Sequence, residues 1–250
     1  MSAFAYVQAR LQARYGDRVG ESAWQSLYSL IGLDVWLEQA RATALRRWLV
    51  GVTPASSAHE VERLLRARMR DTVSEVATAT PVAWRPAVAW TGVLIDLPAI
   101  VDLLSGWNAP PWMLTDPEYR TLALTEPAFR SRVLLQGPLA PLGAALSDRA
   151  PSDADWRRAW LDEWRHRFPK PEPRLERLAR DLETHRVNFL QSTTDAWAAR
   201  RELAERAAHW FRRGFLTPLA VFAFLLLQAL ELERVRAELL KRVLYESGPG

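Results

Sequence analysis

No cysteine occurs in the 250 residues, which excludes disulfides and thiolate metal sites and makes a reducing cytosol the simplest setting. Lysine is nearly missing too: Lys170 and Lys241 are the only two, so arginine carries almost all the positive charge. Glycine is scarce, at 11 residues, and neither a phosphate-binding P-loop nor a Gly-x-Gly-x-x-Gly fingerprint occurs among them. There is no Gly-x-Ser-x-Gly elbow for a serine nucleophile, and Ser22, Ser26, Ser57 and Thr217 read as capping or exposed residues. No block of one charge sign is found either. Arginines are interleaved with acids, as from Glu202 to Arg206 and from Glu231 to Lys241, so the net charge of +4 is spread thinly and nucleic acid is not an expected partner. The main apolar run, Phe215 to Leu230, would span about 24 Å as a helix, short of a bilayer core of about 30 Å. It reads as a core helix, and no targeting segment is expected ahead of the first helix.

What the chain does have is helical periodicity. With 49% hydrophobic and 25% charged residues it can bury a sizeable core. Phe4, Val7, Leu11 and Tyr15 share one face of a first helix that ends in a turn at Gly16-Asp17. Ser22-x-x-Gln25 predicts a capping box, with Trp24, Leu27, Tyr28 and Ile31 on one side before Gly32 stops the second helix. Asp34 is placed to cap a third, carrying Leu37, Ala40, Ala44, Leu45 and Trp48 up to Gly51. Ser57-x-x-Glu60 opens a fourth, with Val61, Leu64, Leu65, Val73 and Val76 as its stripe. Thr80-Pro81 breaks it, Pro98 falls in an expected turn, and Gly106 to Pro117 reads as a linker. Pro117, Pro127 and Pro218 suit first helical positions. Further loops are expected at Ser147 to Ser152 and Pro169 to Pro173. Helices then follow over about 174–191, 195–213 and 218–246. No strand alternation is found, so the expected fold class is all-α.

Trp156, Trp160 and Trp164 recur every fourth residue, a pattern that usually means a helix face in the core rather than a ligand-stacking surface. Glu163-x-x-His166 matches half of the carboxylate–histidine pattern of helical di-metal bundles. Glu205 and His209 are four apart rather than three, and His59-Glu60 lacks the second histidine of a zincin helix. A helical metal enzyme around Glu163 and His166 is therefore the least supported reading, and no catalytic residue, cofactor or small-molecule substrate is assigned.

The opening segment, Phe4-Ala5-Tyr6-Val7-Gln8-Ala9-Arg10-Leu11 followed by Glu21-Ser22-x-Trp24-Gln25, resembles the start of the C-type adaptor of V-type (A/V-type) ATPases, the d-type adaptor of eukaryotes. Tyr6, Ala9 and Arg10 carry that motif. Asp181-x-Glu183 through Phe189-Leu190-Gln191 is similar to the helix closing the family's middle repeat, with Thr184-His185 where the family has Asn-Leu. Thr217-Pro218-Leu219 through Tyr245 is similar to its final long helix. The resemblance implies pseudo-repeated helical bundles forming a funnel, here 1–106, 107–191 and a shortened 192–250; Leu45 to Gly51 and Ile100 to Gly106 hint at the repetition. It implies a non-catalytic adaptor joining the central-stalk subunits to the proteolipid rotor ring, cytoplasmic and peripheral to the membrane, in proton or sodium transport coupled to ATP. A free-standing helical scaffold of the same descent is the alternative. Arg46 and Arg47, with Arg212 and Arg213, are the candidate partner contacts, because guanidinium forks suit carboxylates at interfaces.

Overall fold

The computed structural model describes residues 3–146, 151–191 and 196–245, and within them the chain forms thirteen α-helices and no strand. The N-terminal third begins with α1 (Ala5–Gly16), which buries Val7, Gln8 and Leu11. In α2 (Glu21–Tyr28) Gly20 takes the N-cap, so the Ser22 capping box does not form, and Gln25 instead donates to Glu21 Oε1 at 2.9 Å. The helix also stops four residues before Gly32, and Ile31, expected on its buried face, is 86% exposed. Gly32 serves the next helix, α3 (Leu33–Arg41), as its N-cap at φ 86°. A Cβ there would meet Asp34 Oδ1 at 2.8 Å, so Asp34 sits in the first turn and is not the cap. Nor does α3 run on to Trp48. Thr43 Oγ1 accepts from Leu45 N at 3.1 Å and starts a separate 3-10 turn, Ala44–Arg47, the local competition a threonine hydroxyl offers a helix.

Ser57 does cap α4 (Ala58–Ala79), its hydroxyl accepting from Glu60 N at 3.2 Å. After the break at Thr80, a 3-10 turn leads into α5 (Arg85–Trp90) and α6 (Val93–Leu104). Pro98 lies inside α6 and not in a turn. It has no N–H for the Leu94 carbonyl, and in the turn it loosens Arg66 donates to the Ile95 carbonyl at 2.5 Å. The expected linker 106–117 holds a short helix, α7 (Pro111–Thr115), with Trp112 and Met113 buried. Then come α8 (Arg120–Leu124), which starts three residues after Pro117, and α9 (Pro127–Gln136), which has Pro127 at its first turn as expected.

One buried ionic cluster ties α4 to this region. Asp96, fully buried, accepts from Arg66 at 2.9 Å and Arg70 at 2.8 Å. Arg70 also reaches buried Asp116. Each guanidinium is covered by a ring, Arg66 by Trp112 at 4.5 Å and Arg70 by Tyr119 at 5.5 Å. Burial, with Asp96 alongside, raises the pKa of the Tyr119 hydroxyl far above its usual value.

The C-terminal part consists of α10 (Asp153–His166), α11 (Pro173–Gln191), α12 (Ala196–Arg213) and α13 (Pro218–Tyr245); most of the expected 147–152 loop lies outside the described residues. The tryptophan stripe of α10 is core: Trp156, Trp160 and Trp164 are all buried. Trp90 and Trp160 each donate their indole N–H to the other's carbonyl, at 3.0 and 3.3 Å, and Trp164 meets Phe222 of α13 edge-on at 5.1 Å. The expected core helix is found in α13, buried from Leu219 to Leu225 and packed chiefly on α12 and α4. Between α12 and α13 the chain passes through Gly214, where a Cβ would come within 2.7 Å of Ala220 N. Leu216 there has φ 58° and donates its N–H to Gln8 Oε1 of α1 at 3.2 Å. The stretch Val82–Leu104, helical and long and apolar enough to cross a membrane by length and composition, has 44% of its most apolar window buried.

Removing the buried Asp96 carboxylate leaves two half-buried guanidinium groups without their shared partner. Asp96→Ala is expected to cost about 3–5 kcal/mol in urea unfolding, whereas Asp71→Ala, which breaks the exposed pair with Arg68, costs less than about 1 kcal/mol. Equal effects would refute the central place given to the cluster.

Candidate functional site

A cleft of about 670 Å³ opens where α2 and α12 flank α13. Its floor is one face of α13, from Leu230 through Glu231, Arg234 and Glu238 to Lys241. One wall is the turn after Tyr15 together with α2, and the other is the first half of α12 from Trp197 to Glu205. The spacing of the α13 residues follows the helical period.

Arg234 organises the α2 side. Its guanidinium lies 4.3 Å from the Trp24 ring centre and 5.0 Å from that of Tyr28. It holds Glu21 through two hydrogen bonds, 2.8 and 2.9 Å, and donates a third to the Tyr28 hydroxyl. The bidentate fork fits a carboxylate, and α2 presents Glu21, Trp24 and Tyr28 to it because they are spaced three and seven apart. The Arg234 hydrogen bond holds the Glu21 carboxyl at about 2, well below its usual range. Burial raises the Tyr28 phenol.

The remaining floor carboxylates are also engaged inside the fold. Glu231, 7% exposed, accepts from Arg47 at 2.6 Å. Arg47 lies over the Trp48 ring at 5.2 Å, and burial, with Arg14 and Arg18 nearby, lowers its pKa. Glu238 accepts from Arg242 at 3.1 Å, and Arg242 also donates to the Leu27 and Leu30 carbonyls at and beyond the end of α2. Such a cation suits a helix C-terminus. On the α12 wall, Arg200 binds Glu233 at 2.8 Å and approaches Nε2 of buried His185 at 3.2 Å. Burial and the guanidinium groups of Arg200 and Arg206 lower the His185 pKa. Among the described residues, three buried polar atoms around the cleft have no hydrogen-bond partner: Arg18 Nε, Arg47 Nε and Glu231 Oε1.

None of the arginines singled out in the sequence lines this cleft, but two bind residues that do. Arg47 reaches it through Glu231, and Arg212 through the Tyr15 hydroxyl, to which it donates at 3.0 Å. Arg46 and Arg213, their neighbours, are exposed. The motif residues Tyr6, Ala9 and Arg10 form the outer face of α1, with Arg10 donating to the Tyr6 hydroxyl at 3.2 Å. Asp181 is half-buried, Glu183 pairs with Arg186 at 2.7 Å, and Pro218 is buried at the start of α13. Glu163 accepts from Arg167 at 2.7 Å and His166 is exposed. Among the described residues no group of three or more histidine, aspartate or glutamate side chains is arranged to hold a metal ion. Sequence reasoning missed Glu21, Arg234 and Arg242; the available signal was a cation at 234 and 242 on the helix whose earlier turns are almost wholly apolar. The chain matches no protein-family model, no curated protein and no solved structure.

The Glu21 carboxyl is depressed from 4.5 to about 2, so its contribution to stability is complete above pH 4.5 and is lost as the pH falls towards 2. Glu21→Gln is expected to lower the urea midpoint at neutral pH, with the gap to the wild type closing across that window. A gap that stays constant down to the lower limit would contradict the assignment.

Proposed function

We propose that this chain is a non-catalytic adaptor of a V-type rotary ATPase or ATP synthase. It would link the central-stalk subunits to the proteolipid rotor ring on the cytoplasmic face of the membrane. The support is the ordered resemblance of three segments to the C-type adaptor family, together with an all-helical body. The observation that carries the reading is the junction of the first and last of those segments. Gln8 of α1 accepts from Leu216 at the entry to α13, Arg212 donates to Tyr15, and α1 packs along α13. An adaptor transmits load through packed surfaces, and a body closed between its two ends passes force from one face to the other. The three bundles 1–106, 107–191 and 192–250, and the funnel they would form, belong to this proposal.

The contact residues sort by their surroundings. Arg46 and Arg213 are exposed and suited to meet a partner directly, whereas Arg47 and Arg212 are tied to Glu231 and Tyr15 and act by positioning. Arg46→Glu with Arg213→Glu is expected to reduce co-purification with a detergent-solubilised rotor ring or with the central stalk at least tenfold. The far-ultraviolet circular dichroism spectrum should not change. If the wild-type chain captures neither the ring nor the stalk subunits, the adaptor reading fails and a free-standing helical scaffold replaces it.

A further inference from the structure

The cleft between α2, α12 and α13 carries a charge imbalance that its own residues do not resolve. Its carboxylates are largely spent inside the fold, Glu21 on Arg234, Glu231 on Arg47 and Glu238 on Arg242. Two of the lining cations, Arg18 and Lys241, are not. Arg18 lies over the Tyr15 ring at 5.5 Å, with its Nε buried and lacking an acceptor. Exposed Lys241 has no carboxylate partner among the described residues. Against these two stands one unspent carboxylate in the lining, exposed Glu205. The lining thus holds five cations, Arg18, Arg200, Arg201, Arg234 and Lys241, against four carboxylates, Glu21, Glu205, Glu231 and Glu238, and its excess is positive.

The shape narrows the occupant. From Leu230 to Lys241 the floor rises about 16 Å, three helical turns. A volume of about 670 Å³ takes a row of side chains from one helix face rather than a whole helix. Trp197 on the α12 wall is 43% exposed and offers apolar surface beside the cations. We infer that the cleft docks an acidic amphipathic helix of a protein partner. Its carboxylates meet Arg18 and Lys241, and its apolar residues pack on Trp197. The inference rests on the adaptor reading for the occupant being a protein; its acidity and helical form come from the cleft.

A suitable probe is a fluorescein-labelled 16-residue helical peptide with glutamate on one face and leucine on the other, beside a twin with lysine for glutamate. Fluorescence anisotropy should show saturable binding of the acidic peptide alone, weakening as salt rises. Affinity should fall at least tenfold with Arg18→Glu plus Lys241→Glu and stay unchanged with Arg120→Glu on α8, an exposed arginine outside the cleft. If circular dichroism shows the double variant unfolded, Lys241→Gln alone should still weaken binding at least threefold. Absence of saturable binding, equal binding of both peptides, or no loss in the cleft variants would overturn the inference. Peptide binding without capture of ring or stalk leaves the cleft assignment standing and removes the rotary adaptor; capture of ring or stalk without peptide binding does the reverse.

Discussion

The structure depends on the burial of α13. From Leu219 to Leu225 every residue of that helix is buried, and a helix that is apolar all round has to be covered on all sides. The rest of the fold answers that requirement. α12 and α4 lie along it, α1, α3 and α11 cover further faces, and α10 reaches it through Trp164 on Phe222. One hydrophobic core thus runs from Phe4 to Leu239. A single helix organising a core of this size has little room for error at its entry. The bend at Gly214 and the left-handed backbone of Leu216, held by Gln8, set where α13 begins and how α1 meets it.

The second half of α13 changes character. Beyond Leu230 it carries Glu231, Glu233, Arg234, Arg236, Glu238 and Arg242, each paired with a neighbouring side chain. The same helix therefore fixes the core with one half and orders the polar surface with the other. Arg234 shows how: a cation between two rings, with a carboxylate across its fork, combines a cation–π contact with a bidentate hydrogen bond. A second and more buried version, Arg66 and Arg70 around Asp96 with Trp112 and Tyr119 as covers, does the same for α4, α6 and α7.

The long elements were legible because their pattern repeats over many turns. The apolar stripes of α4, α10 and α13, the Ser57 cap and the Pro127 and Pro218 starts all follow from residues visible in the sequence. The misreadings fall at short range, where two local rules compete. Ser22 and Gln25 have capping-box spacing, but Gly20 takes the cap and Glu21 takes Gln25. Pro98 reads as a turn, yet tertiary contacts from Arg66 support the helix around it. The 106–117 stretch has linker composition, but Trp112 buries itself as the cover of Arg66. The cleft was less legible still. Arg47 and Arg212 stood out as basic pairs at helix ends, but Glu21 with Arg234, separated by 213 residues, is visible only once α2 and α13 are side by side.

Because all but two of the basic side chains are arginine, the pairing that orders this surface has an unusual tolerance of alkali. A guanidinium keeps its proton to about pH 12 or beyond, well above the range in which lysine pairs dissolve. The phenols set among these pairs, Tyr28 and Tyr119, are themselves pushed towards later ionisation. Alkaline carbonate would therefore leave the pairs of Arg234 and Arg70, whose guanidinium groups are held still more firmly protonated, intact.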